Sequence, residues 1–572
     1  MLLALVSCSA ADEGAGGQED GFNAGNRGVV NASDRAGGTV TYQLAGTPDS
    51  MDPGNTYYGY MWNFSRLYGR PLTTFASEPG STAKLVPDLA TGLGTVSDGG
   101  RTWTYRIRSG LKYSDGSPIT SRDVKYAIER SNYAPEALSN GPTYFRQYLV
   151  DNQPPYAGPY RDRTGGLKSI ETPDDTTIIF HLSKPFADFD YLVSNPQSAP
   201  VPRTRDTGAG YVNRIVSSGA YMFASYQEGA GATLVRNPHW SSASDPLRKQ
   251  YADKIVVQFN REQSTVDQNL IAGTATLDLH GEGIAASTQA TVLSDPTQKA
   301  HVDVAQSGLM AYVAMSSAVP PLDNVHCRRA VEYAVDRGSV QTAAGGSVRG
   351  EIATTILPPS VIGHTAYDLY PTSGHEGANS PDGLAAAKRE LTLCGHPGGF
   401  STNLAARADQ PNEIAMAQAV QASLKRAGID AAIQQYPSGT YASNYAGAPA
   451  FVRSHQLGLM MMQWAADWPT GYGFMDQILN GNSIKASGNT NFSELNDPQV
   501  NRMLAQAINN PDAAARTKAW GDIDKTAMRQ APLVPLLYLK SPLYRPAKAT
   551  NVFVTPAYGM YDYLTVGQDG GR

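Results

Sequence analysis

The chain has 572 residues, too many for one compact core, so at least two domains are expected. Hydrophobic residues make up 41% and charged residues 17%, and the net charge of −5 is spread without long runs of one sign. That balance excludes a disordered chain and leaves no basic stripe to neutralise nucleic-acid phosphates. No stretch reaches the roughly 20 apolar residues that a membrane span needs.

In chain order, Ala10 to Gly38 is rich in Gly, Ala, Asn and Asp, the composition of a flexible tether. Thr39 to Leu44 alternates as a strand and Asp52-Pro53-Gly54 ends it. The aromatic cluster Tyr57-Tyr58-Gly59-Tyr60-Met61-Trp62 follows, and reads either as the lining of a cleft or as inter-domain core. After Pro87-Asp88-Leu89-Ala90, a Gly99-Gly100 turn leads into a strand in which Trp103, Tyr105 and Ile107 alternate with polar residues. Asp115-Gly116 makes a second turn, and Thr120 and Ser121 supply cap hydroxyls to a helix with Val124, Ala127 and Ile128 on one face. Thr176 to Leu182 is predicted as a strand, and Leu309 to Met315 as a strand buried on both sides. Helices are predicted over Ala385 to Leu393, Glu413 to Ala427 and Asp497 to Asn509. In the second, Ile414, Ala417, Val420 and Leu424 form a core stripe that Gly428 ends. Leu459 to Trp464 is an apolar run with the character of a buried strand, and Asp467 follows it. Strands and helices interleaved in this way indicate α/β lobes.

The segment from Leu85 to Arg130 closely resembles the signature region of the extracellular solute-binding proteins of the peptide and nickel class, family 5. Four further segments resemble that family in its own order: Ser218 to Phe223 with Leu234 to Trp240 and Asp253-Lys254-Ile255; Cys327 to Arg337; Gln463 to Pro469; and Ala531 to Leu536. The resemblance implies a two-lobed periplasmic-binding-protein-like fold of type II with an extra inserted domain and interlobe hinge strands near Ser307 to Met315 and Val534 to Leu539. It places the tether in residues 1–38, lobe I in 39–60, 195–307 and 538–572, the extra domain in 61–194, and lobe II in 308–537. It also implies an extracytoplasmic protein, monomeric, that captures peptides and hands them to the permease subunits of an ABC transporter. Alternatives are a saccharide or metal-chelate binder on the same fold, and a secreted peptide hydrolase.

The hydrolase would need a nucleophile or metal site, and the chain has no H-E-x-x-H, G-x-S-x-G, P-loop or C-x-x-C motif. Nine histidines are scattered, His364 and His375 being the nearest to a pair. The reading is therefore a binding protein with no catalytic residues, no metal ligands and no cofactor.

For the ligand, the resemblance assigns Asp467, in the W-x-x-D pattern begun by Trp464, to a peptide's α-ammonium, with Trp464 as a pocket wall. It assigns Arg407, read as lying in a loop before the Glu413 helix, to the ligand's carboxylate. Tyr57 and Tyr58 are the candidate contacts from the other lobe. Ser438 stands near a position where peptide-binding members often carry tryptophan, which implies a wider, more polar pocket.

Leu5-Val6-Ser7-Cys8 resembles a lipobox, with Cys8 as the lipidated residue that anchors the chain to the outer face of the cell membrane. Only Met1 to Ala4 precede it, so either translation starts upstream of Met1 or the motif is fortuitous; the tether directly after the cysteine favours lipidation. Cys327 and Cys394 then remain, as two buried thiols or as a disulfide, and an oxidising compartment favours the disulfide.

Overall fold

The structure, a computed structural model, describes residues 21–80, 84–163 and 165–569; Cys8 and the lipobox lie outside the described residues. Three main sheets organise the chain. The first orders its strands Leu277–Asp278, Thr39–Gln43, Lys254–Gln258, Gly231–Arg236 and Tyr221–Gln227. Val40 and Tyr42 point into its core beside Ile255 and Val257, as the alternation predicts. The second runs Gly350–Ile352, Leu533–Tyr544, Val302–Met315, Leu459–Trp464, Ser401–Arg407 and Asp430–Tyr436. Its last three strands are mutually parallel, so their C-terminal ends share one edge. The third, antiparallel, contains Thr95–Ser97, Thr102–Arg106, Thr177–His181 and Ile170–Glu171. It carries the inserted unit, with Trp103, Tyr105, Ile178 and Phe180 all buried.

Two long strands belong to more than one core. Val302–Met315 pairs with Leu533–Tyr544 in antiparallel fashion. Ala305 and Leu543 sit in the first lobe's core, whereas Met310 to Met315 and Leu533 to Tyr538 sit in the second's. Between these halves the register shifts from Gln306 to Met310, and Gly308 has φ +75°, a conformation that side-chain-bearing residues rarely adopt.

Helix limits follow local chemistry. Thr120 and Asp123 form a reciprocal capping box on helix Ser121–Tyr133. Helix Pro411–Ala427 begins with proline and ends at Gly428 with φ +96°, and its Ala417, Val420 and Leu424 are fully buried. Cys327, in helix Val325–Ala334, is joined to Cys394, just past helix Pro381–Leu393, by a disulfide with Cα atoms 5.4 Å apart. A bridge between residues 67 positions apart stabilises the fold by about 4 kcal/mol in the chain-entropy account.

Two expectations need correction. Met61, Phe64, Leu67 and Tyr68 pack into the first lobe's core, so the inserted unit begins after Tyr68 and not at residue 61. Helix Gly59–Ser65 turns Met61 and Phe64 inward together, and a boundary at residue 60 would cut it. Arg407 is not in a loop: it ends strand Ser401–Arg407, which pairs with Asp430–Tyr436 over its whole length because Leu404, Ala405 and Ala406 are small or apolar and fully buried.

The signature Asp88 has a structural task. Its carboxylate accepts from Arg70 Nε at 2.9 Å and Arg248 Nη2 at 2.6 Å, and Arg248 also reaches Asp245 at 3.1 Å. All four side chains are buried. Burial alone would raise Asp245, but the Arg248 and Arg70 guanidinium groups hold it well below the usual carboxylate range. The cluster fastens the start of the inserted unit to the first lobe. Asp88→Ala removes one anion from a buried pair of cations, and a loss of about 3–5 kcal/mol in unfolding free energy is expected from denaturant titration.

Candidate functional site

The parallel strand ends of the second sheet face the first lobe and the inserted unit, the place where α/β sheets hold ligands. Leu459–Trp464 stops at this edge because Pro469 and the turn before it cannot continue the ladder. Trp464 is half-buried, its indole N–H donating to the Phe474 carbonyl at 2.8 Å. That bond fixes the orientation of the ring.

Asp467 lies three residues on, half-buried, with its backbone N–H donating to the Gly473 carbonyl at 3.1 Å. Tyr57, from the first lobe, donates its hydroxyl to Asp467 Oδ1 at 2.7 Å, and the Tyr57 and Tyr144 hydroxyls lie 3.0 Å apart. Burial pushes the Asp467 carboxyl up to about 6; the hydroxyls of Tyr144 and Tyr57 pull it down in part, and the charge of Asp476 pushes it up again. Both phenols are themselves raised well above their ordinary value, by burial and then by Asp467, so they remain donors. Among the described residues no basic side chain makes an ion pair with Asp467.

The aromatic cluster divides. Tyr57 and Tyr58 are 44% and 51% exposed, whereas Tyr60, Met61 and Trp62 are buried. The structure therefore brings Tyr57 to Asp467, three residues after Trp464, whereas Tyr58 stacks on Tyr60 with centroids 5.5 Å apart. Arg407 stands at the same sheet edge, at the end of the neighbouring parallel strand. Its guanidinium is already engaged: Nε donates to Glu413 Oε2 at 2.8 Å, Nη2 donates to the same oxygen, and the Arg407 backbone N–H donates to Oε1 at 2.8 Å. Ser438 sits near this pair and donates its hydroxyl to Asp409. Aromatic surface in that segment comes instead from Tyr436 and Tyr445, stacked at 4.5 Å.

Sequence reasoning missed two cleft residues, both from the inserted unit. Tyr144 reaches the Asp467 pair, and its ring meets Trp468 edge-on at 5.6 Å. Asp188, 1% exposed, accepts from Trp468 Nε1 at 2.9 Å and from Thr470 Oγ1 at 2.6 Å, so the residues just after Asp467 are tied to the inserted unit. Nothing in local pattern marks either residue; Asp188 falls on a short turn and Tyr144 on a five-residue helix. His364 bonds the Leu357 carbonyl within its own loop, and among the described residues no group of three metal-ligating side chains occurs.

Comparison with known proteins fits this geometry. The profile of the bacterial extracellular solute-binding proteins, family 5, middle region, matches residues 84–486. A solved structure titled clavulanic acid biosynthesis oligopeptide binding protein 2 superposes with a TM-score of 0.92 at 40% identity, covering 96% of this chain and 99% of the other. Heme-binding protein A of Haemophilus influenzae is 25% identical over 537 residues, 89% of this chain and 88% of its own length. The probable D,D-dipeptide-binding periplasmic protein DdpA of Escherichia coli K12 is 24% identical, over 86% of this chain and 87% of its own.

The raised Asp467 carboxyl sets a pH prediction. A carboxyl raised on folding favours the folded state while protonated, and that contribution is lost as pH rises from about 4 through about 6. Asp467→Asn cannot ionise, so its melting temperature is expected to gain on wild type across that interval and hold the gain above pH 7. The full span corresponds to at most about 3 kcal/mol, reduced by whatever water reaches the cleft. Parallel melting curves between pH 4 and 8 measure it; an unchanged gap would show that Asp467 titrates normally.

Proposed function

Because the chain belongs to the bacterial extracellular solute-binding proteins of family 5, we propose that it captures peptides outside the cytoplasm and delivers them to the permease subunits of an ABC importer. The observation that carries this reading is Asp467: a carboxylate at a parallel strand end, inside an interlobe cleft, held by two phenol hydroxyls and ion-paired to no described cation. A half-buried anion of this kind is complementary to an ammonium group, and the pair would gain strength as the bound ligand displaces the remaining water. The names of two relatives support a peptide over other solutes, one an oligopeptide-binding protein and the other a probable D,D-dipeptide-binding protein. Tyr57, Tyr58, Trp464 and Tyr144 supply the rigid walls against which side chains would lie. In this reading Cys8 carries the lipid anchor, and a single copy of the chain serves the importer.

Incubation with a peptide library followed by mass spectrometry tests the class. Intact peptides are expected to be retained; turnover would indicate a hydrolase, and failure to retain any peptide would indicate a saccharide or metal chelate. Asp467→Ala removes one partner of the pair and is expected to weaken binding by about 2–5 kcal/mol, roughly 30- to several-thousand-fold. N-acetylated peptides should bind wild type weakly and be indifferent to the substitution. Calorimetric titration decides: equal binding of free and acetylated peptides by Asp467→Ala and wild type refutes the ammonium assignment.

Saturating peptide should also shift the lobes about the Gln306–Met310 irregularity toward a closed population. Small-angle scattering should show a smaller radius of gyration, and an unchanged radius at saturation argues for a rigid site.

A further inference from the structure

The family resemblance assigns Arg407 to a ligand carboxylate, but in this chain Glu413 already holds one edge of its guanidinium, the Nε and Nη2 side. A guanidinium recognises a carboxylate through two parallel N–H donors, and the Nε and Nη2 pair is one such fork. Here both donors go to Glu413 Oε2, while Oε1 takes the Arg407 backbone N–H at 2.8 Å. The partners are six positions apart, Arg407 closing its strand and Glu413 in the first turn of helix Pro411–Ala427. No domain movement is needed to form the pair or keep it. The Glu413 side chain is 1% exposed and that of Arg407 25%, so the anion is sealed in and the cation faces outward over it. The helix N-terminus further favours a carboxylate at that point.

The surroundings strengthen the bias. Asp409 also acts on Arg407 and accepts from the Ser438 hydroxyl. Asp467 and Asp476 stand at the end of the neighbouring strand and in the helix after it. An incoming carboxylate would meet a guanidinium already neutralised by Glu413, with a second carboxylate, Asp409, acting on it as well.

We propose that Glu413 is a specificity-determining residue: by occupying the Arg407 fork, it makes the cleft select peptides through their cationic end and leaves the carboxyl terminus unread. The inference rests on the peptide-binding reading above and narrows it. Peptides with a free and an amidated C-terminus should then bind alike, which suits ligands whose carboxyl end is blocked or extends out of the cleft.

The test offers equimolar randomised di- to pentapeptide pools, as free acids and as C-terminal amides, to wild type, Glu413→Gln and the double variant Arg407→Ala/Glu413→Gln. Retained peptides are counted by mass spectrometry. Wild type is expected to retain acids and amides within about twofold of each other. Glu413→Gln keeps the side chain's shape but leaves the Arg407 charge unmatched, and should favour acids by tenfold or more; the double variant should return to parity. Wild type that itself favours acids tenfold overturns the proposal even if Glu413→Gln does not fold. So does a folded Glu413→Gln with an unchanged ratio. Loss of all peptide retention by every protein, wild type included, would instead refute the peptide reading and this inference with it.

Discussion

The pairing of Val302–Met315 with Leu533–Tyr544 is the constraint on which the architecture depends. Its strands are the longest in the second sheet, and their far ends are built into the first lobe. A ladder of backbone hydrogen bonds resists stretching and slippage but bends where it is interrupted. The interruption lies between Gln306 and Met310, where the register shifts and Gly308 takes a left-handed conformation. Each lobe thus keeps its own core while the chain passes between them through a short, bendable stretch.

Charge is used in two ways on the two sides of the cleft. The Asp88, Arg70, Arg248 and Asp245 cluster is buried and fully paired, and its role is to hold the inserted unit to the first lobe. Removing any member leaves a charge stranded in a low-dielectric interior, which is why such a cluster is rigid. Asp467 is the opposite case. Its partners are neutral phenols from two other parts of the chain, and its carboxyl is held near neutral pH by burial. A carboxylate with hydroxyl donors only is stable enough to persist and still gains from a cation. Asp188 adds a further use, a buried anion that ties Trp468 and Thr470 to the inserted unit and so fixes the backbone just after Asp467.

What the sequence by itself determined was whatever local spacing encodes. Alternation placed the Thr177–His181 strand with Ile178 and Phe180 inward, because side chains on a strand alternate faces. The stripe ending at Leu424 and the stop at Gly428 gave helix Pro411–Ala427, because helical periodicity and a left-handed cap are properties of a few consecutive residues. Five ordered segments identified the family, and the W-x-x-D pattern pointed to Asp467. The tertiary structure alone decided what sits against these groups. Tyr57 is 410 positions from Asp467, and Asp188 is 280 from Trp468; no window of sequence carries such a contact. The Arg407–Glu413 pair spans only six positions, yet it too is hidden, because the residues around Arg407 have a loop's composition and its strand is formed by pairing with Asp430–Tyr436 further along the chain. Periodicity fixes which face a side chain takes on its own element. Which partner it meets there depends on how elements distant in the chain pack, and at this cleft that packing decides which charges a ligand would encounter.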